Sequence, residues 1–110
     1  MKKPRIVCLC GSTRFMAAFQ EANLRETLDG NIVLSIGCNT KDDQVILGHL
    51  PEVEMQKVKD RLDELHLRKI DLADEVLILN VRGYIGESTR RELEYAREQG
   101  KVVRFLEEEI

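Results

Sequence analysis

Apolar positions along this chain follow two rhythms. Residues 5–10 (Arg-Ile-Val-Cys-Leu-Cys), 31–35 (Asn-Ile-Val-Leu-Ser), 75–79 (Glu-Val-Leu-Ile-Leu) and 102–106 are short apolar runs. The first halts at Gly11 and the third at Asn80. Runs of that length, rich in β-branched residues and without polar alternation, predict strands buried on both faces. Between them the spacing becomes helical. Phe15, Phe19 and Ala22 recur at helical intervals behind Ser12 or Thr13, either of which suits an N-cap, and Asp29-Gly30 marks the turn that follows. Met55, Val58, Leu62 and Leu65 repeat at intervals of 3, 4 and 3, which predicts the longest amphipathic helix over 52–72. A third helix starts at Ser88 and ends before Gly100, a residue suited to the C′ position. Residues 36–51 lack a clear period and contain Gly37, Gly48 and Pro51, so a long loop is expected there. A solvated acidic tail, Glu107 to Glu109, ends the chain.

The order β-α-β-α-β-α-β predicts a single domain over 1–110, a three-layer α/β architecture of flavodoxin or Rossmann type. Its four parallel strands are expected in the order 2-1-3-4. In such a sheet the topological switch falls between strands 1 and 3, and ligands bind beyond the carboxyl ends of those strands. Two segments meet there, Gly11 to Arg14 and Asn80 to Ser88. Both are selected by topology before any motif is considered.

Composition narrows the classes of function. With 17 Lys and Arg against 20 Asp and Glu, the net charge is −3 and the signs are interspersed. No basic stripe is present to hold a nucleic-acid polymer. No apolar run is long enough to span a bilayer, and the N-terminus lacks the apolar core of a signal peptide. Cys8, Cys10 and Cys38 form an odd, sparse set, which suggests a reduced, cytoplasmic protein without a disulfide framework. His49 and His66 have no partner at ligand spacing, so neither a metal nor another cofactor is expected.

Gly11-Ser12-Thr13-Arg14 follows a strand and opens a helix. Its free N–H groups, two hydroxyls and one guanidinium fork suit a phosphate, although a capped turn with a surface arginine has the same local sequence. Glu92 lies one turn into the third helix on the face of Ser88. There it is either a nucleophile at the mouth of the crevice or a surface glutamate paired with Arg90, Arg91 or Arg97. Cys8 to Arg14 also fits the C-x5-R phosphate loop of small cysteine phosphatases. Against that, Cys8 lies within an apolar strand, and the Cys residues read equally as small core fillers. Tyr84, between Gly83 and Ile85, suits either a stack on a planar ring or a loop anchor.

Taken together, Cys10-Gly11-Ser12-Thr13-Arg14, Ala73-Asp74-Glu75-Val76 and Ser88-Thr89-Arg90-Arg91-Glu92-Leu93-Glu94-Tyr95-Ala96, followed by Gly100-Lys101-Val102-Val103, resemble the nucleoside 2-deoxyribosyltransferase superfamily. They are most similar to its small branch of nucleoside 5′-monophosphate N-glycosidases. The resemblance implies that Glu92 attacks C1′ of the sugar while His66 and Asp74 assist in catalysis. It also implies that Gly11, Ser12, Thr13, Arg14, Asn80, Tyr84, Gly86, Ser88 and Thr89 bind the nucleotide. A small-molecule nucleotide or nucleoside and a homodimer or higher homo-oligomer are the implied partners. Departures occur at Cys8, where the family often has an aromatic residue, and at His66 and Gly86, where it has aspartates. Either His66 or Asp63 substitutes for these groups, or the protein binds a nucleotide without cleaving it.

Overall fold

In a computed structural model that describes residues 3–36 and 49–107, the four expected strands form one all-parallel sheet in the order β2-β1-β3-β4. They are β1 (Ile6–Cys10), β2 (Ile32–Leu34), β3 (Glu75–Ile78) and β4 (Val102–Phe105). Three α-helices are found among the described residues: α1 (Met16–Leu28), α2 (Glu52–Leu72) and α3 (Glu87–Glu98). Most of the loop expected over 36–51, together with Cys38, lies outside the described residues, as does the tail beyond Glu107. No described helix is long and apolar enough to cross a membrane.

Strand alternation divides the core in two. Val7, Leu9, Leu77 and Leu79 point to one face, where Phe19 and Ala22 of α1 cover them. Cys8, Cys10, Val76 and Ile78 point to the other, where they meet Ile70 of α2 with Leu93 and Ala96 of α3. The central strands β1 and β3 are therefore apolar on both faces, which explains their uninterrupted apolar sequence. β1 pairs with β3 from Val7↔Glu75 to Cys10↔Ile78, so the two strands end level and the loops after them leave side by side.

Helix ends follow local chemistry. After α1 the N–H of Gly30 reaches Thr27 O and that of Asn31 reaches Glu26 O; after α3 the N–H of Gly100 reaches Arg97 O and that of Lys101 reaches Ala96 O. Both are Schellman closures, with Gly30 and Gly100 at φ +87° and +72°, a region that penalises any side chain. The first helix differs from expectation at its start. Ser12 caps a short 3₁₀ turn, Thr13–Phe15, before the α-helix begins at Met16.

Glu107, the one residue of the acidic tail among those described, is exposed as expected and is also tethered. Glu107 is pinned to the sheet: its backbone N–H donates to Asn80 Oδ1 and its carbonyl accepts from Asn80 Nδ2, each at 2.9 Å, and its carboxylate takes the Arg82 N–H. The long helix sits differently from its hydrophobic stripe. Leu62 and Leu65 are each about half exposed, whereas His66 and Ile70 are the residues α2 buries. Toward its C-terminal end the buried face of the helix thus lies about one residue past the apolar stripe.

Candidate functional site

A cleft of about 810 Å³ opens at the carboxyl ends of β1 and β3. The loop after β1 supplies Gly11, Ser12 and Thr13, and the loop after β3 with the first turns of α3 supplies Tyr84, Gly86, Glu87, Ser88, Thr89, Arg91 and Glu92. One face of α2 closes the far side with Gln56, Lys59, Asp63, His66 and Lys69. The switch point expected from strand order is therefore where the cavity lies.

Gly11 is held there by close approach. A Cβ built on it would meet Leu79 Cβ at 3.0 Å and Phe19 Cζ at 3.3 Å, so packing against the next strand excludes a side chain. Ser12 Oγ accepts the Arg14 N–H at 3.3 Å, the capping contact that fixes the loop. Arg14 stands at the rim and does not line the cleft. Its guanidinium lies over the Tyr84 ring, 4.7 Å from the centroid, and Phe15 meets the same ring edge-on at 5.9 Å. Gly86 lets the chain pass Tyr84, whose hydroxyl would lie 3.2 Å from an added Cβ.

Glu92 points into the fold. Its side chain is only 14% exposed, and the nearest cation is His66, with Nε2 3.9 Å from Oε1. No ion pair links Glu92 to Arg90, Arg91 or Arg97 among the described residues, so the surface-glutamate alternative does not describe it. Arg91 turns instead toward Ser88 Oγ at 3.4 Å. Burial pushes the Glu92 carboxyl up from 4.5 to about 7, against the opposing pull of His66.

Beneath Glu92 lies a group that sequence spacing did not reveal. His66 Nε2 is 3.2 Å from Cys10 Sγ and 3.7 Å from Cys8 Sγ. Both cysteines are fully buried and His66 is 6% exposed. A hydrogen bond from Cys10 lowers the Cys8 thiol, with support from His66, whereas the same bond and burial hold Cys10 well above its ordinary range. Burial alone would lower His66. Its hydrogen bond with Cys8 and the Glu92 charge outweigh that, and the net shift is upward. Cys8 and Cys10 fill the core as expected, and they also face His66. The phosphatase alternative loses support, because Cys8 has no exposed surface from which to reach phosphorus in the cleft.

Two nominated residues lie elsewhere. Asp74 sits at the opposite end of the sheet, where Oδ2 accepts the Ile6 N–H at 2.9 Å, so it ties two strands together and does not meet the cleft. Asn80 is 1% exposed and its amide is committed to the Glu107 backbone. A side chain ending a strand at the switch point was reason to nominate Asn80, but the strand end needed a clamp. Conversely, Gln56, Lys59 and Lys69 were missed. Gln56, Lys59, Asp63 and His66 recur at 3, 4 and 3, the same rhythm as the apolar stripe displaced by one position. That polar stripe was the available signal.

The fold and cavity define an α/β protein with a switch-point cleft that joins a strand–turn–helix loop to a buried carboxylate. No family model matches the chain, and no curated protein matches it.

Proposed function

We propose that the protein cleaves the N-glycosidic bond of a nucleoside 5′-monophosphate, with Glu92 as the nucleophile. One observation carries the reading: a glutamate buried to 14% exposure shares a cleft with the Gly11–Thr13 loop at the sheet's switch point. A buried carboxylate without an arginine partner costs stability, and such groups cluster where chemistry needs them. The cleft is large enough for a nucleotide.

In this mechanism the 5′-phosphate is held by Gly11, Ser12 and Thr13, with Ser88 opposite and Arg14 swinging in from its stack on Tyr84. The cleft-facing cations Lys59, Lys69 and Arg91 add positive charge. Phosphate binding then positions C1′ over Glu92. Attack by the ionised carboxylate forms a glycosyl ester as the C1′–N bond breaks and its electron pair leaves with the base. Water then cleaves the ester and releases the sugar phosphate, with overall retention of configuration. His66, 3.9 Å away, positions the carboxylate and favours its ionised form. We place the reaction in the reducing cytoplasm, where Cys8 and Cys10 stay thiols. We also expect a homodimer, measurable as the dimer mass by light scattering.

The test is incubation of wild type and Glu92→Gln with a panel of nucleoside monophosphates, resolving free base, sugar phosphate and inorganic phosphate. Wild type should release base and sugar phosphate. Glu92→Gln should lose at least about 1000-fold in rate while still being protected from thermal unfolding by the same nucleotide. Protection of wild type without any product would instead make the chain a nucleotide-binding module.

A further inference from the structure

We propose that Cys8, Cys10 and His66 bind a thiophilic divalent cation of the zinc class. The observation is a convergence of donor atoms: the two Sγ atoms and a His66 ring nitrogen all lie within 4.8 Å of one another. Strand geometry supplies half of it, since Cys8 and Cys10 are two apart in β1 and emerge on the same face. Helix packing supplies the rest, because the last turns of α2 bring His66 down onto that face.

The spacing suits a tetrahedral ion. With metal–sulfur bonds of about 2.3 Å and metal–nitrogen bonds of about 2.0–2.1 Å, a tetrahedral sulfur–nitrogen edge is about 3.5 Å. The two edges here are 3.2 and 3.7 Å, so an ion fits between these atoms with side-chain adjustments of a few tenths of an ångström. The remaining corner is left to a solvent oxygen on the cleft side, since Glu92 is not among the donors that converge here. Two thiolates and one imidazole form a soft set that favours zinc, cobalt or cadmium over magnesium or calcium. Burial strengthens the case, since sulfurs with no exposed surface are sheltered from water, and a cation compensates two thiolates where solvent does not. His66 and Glu92 both line the cleft, which gives the ion a route in.

Sequence spacing concealed the group because no Cys-x-x-Cys or His-x-x-x-His pattern is present. The site shares His66 with the nucleotide reading but is tested apart from it. Metal uptake is measured without substrate, and base release in chelator tests that reading alone.

The experiment uses the full chain carrying Cys38→Ser, so that thiol signals come from Cys8 and Cys10 only, stripped of metal by chelation under reducing conditions. Titration with Co²⁺ should saturate at one equivalent per chain. It should produce a thiolate-to-cobalt charge-transfer band and the intense visible bands of a tetrahedral ion, both removed by Zn²⁺. Cys10→Ser and His66→Ala, checked for folding by circular dichroism, should each weaken Co²⁺ binding by at least about 100-fold. Zn²⁺ should also raise the melting temperature of the parent chain. A weak octahedral spectrum without charge transfer, or a tetrahedral one unchanged in the folded variants, overturns the proposal. If neither variant folds, the parent's cobalt spectrum and zinc-dependent melting decide it, and absence of either overturns it.

Discussion

Replacing Arg104 by Met should destabilise the protein by about 2–3 kcal/mol at neutral pH, a figure set by its position between exposed and buried ion pairs. The Arg104 guanidinium reaches Glu26 Oε1 at 2.5 Å and Glu75 Oε2 at 2.9 Å, and both carboxylates are nearly fully buried. Removing one partner of a fully buried pair costs about 3–5 kcal/mol, against at most about 1 for an exposed one. Arg104 itself is 40% exposed, so water softens the loss, and Glu75 keeps Arg5 at 3.2 Å. Met retains most of the packing volume, which leaves the charge as the difference. Urea unfolding followed by far-ultraviolet circular dichroism is the suitable assay, since the chain has no tryptophan. The melting temperature should fall by about 10 °C. The pH dependence has a definite sign. The Arg104 hydrogen bond holds the Glu26 carboxyl below its ordinary value of 4.5, so its contribution is present above that value and is lost as pH falls through the folded pKa. The gap between wild type and Arg104→Met should therefore narrow in acid, below about pH 4.5. A loss under about 1 kcal/mol at pH 7, or a gap that persists unchanged into acid, refutes this account.

Three further outcomes follow from the cleft. Gly11→Ala should cost about 1–3 kcal/mol, because its Cβ would press on Leu79 at 3.0 Å; chemical denaturation measures it. Arg14→Ala should raise the KM for nucleoside monophosphates by about 10- to 100-fold, with a much smaller effect on the matching nucleosides, as steady-state assays of both will show. In chelator, kcat/KM for base release should rise about tenfold between about pH 6 and 8 as Glu92 ionises. A flat profile would separate the rate from that carboxylate, whose pKa burial raises to about 7.

The fold was legible because each element carries its own local signal. Turn-bounded apolar runs mark the strands, and caps and Schellman glycines mark helix ends at Ser12, Gly30 and Gly100. From element order alone the sheet order followed, and with it the position of the cleft. Side-chain partners across the sheet were far less legible. Glu26 and Glu75 are 49 residues apart, and neither advertises the arginine that joins them. The resemblance implies a catalytic role for Asp74 and a binding role for Asn80. Both proved to be clamps on neighbouring backbone, the commonest fate of a polar side chain at a strand end.

The facing of α2 has the largest consequence. The spacing of Met55, Val58, Leu62 and Leu65 predicts an amphipathic helix, but it does not say how much of that face meets the core. The central strands are only 5 and 4 residues long, and α2 is 21 residues long, so just its last turns reach the core, through His66 and Ile70. With core contact confined to one end, a buried face one residue past the apolar stripe costs little apolar burial and brings the Gln56, Lys59, Asp63 and His66 stripe to the cleft. That same facing sets His66 against Cys8, Cys10 and Glu92. One imidazole thus serves both the proposed nucleophile and the proposed metal site, and the two roles compete at His66. An imidazole bound to an ion no longer supports the Glu92 carboxylate 3.9 Å away, so zinc should suppress base release and chelator should restore it.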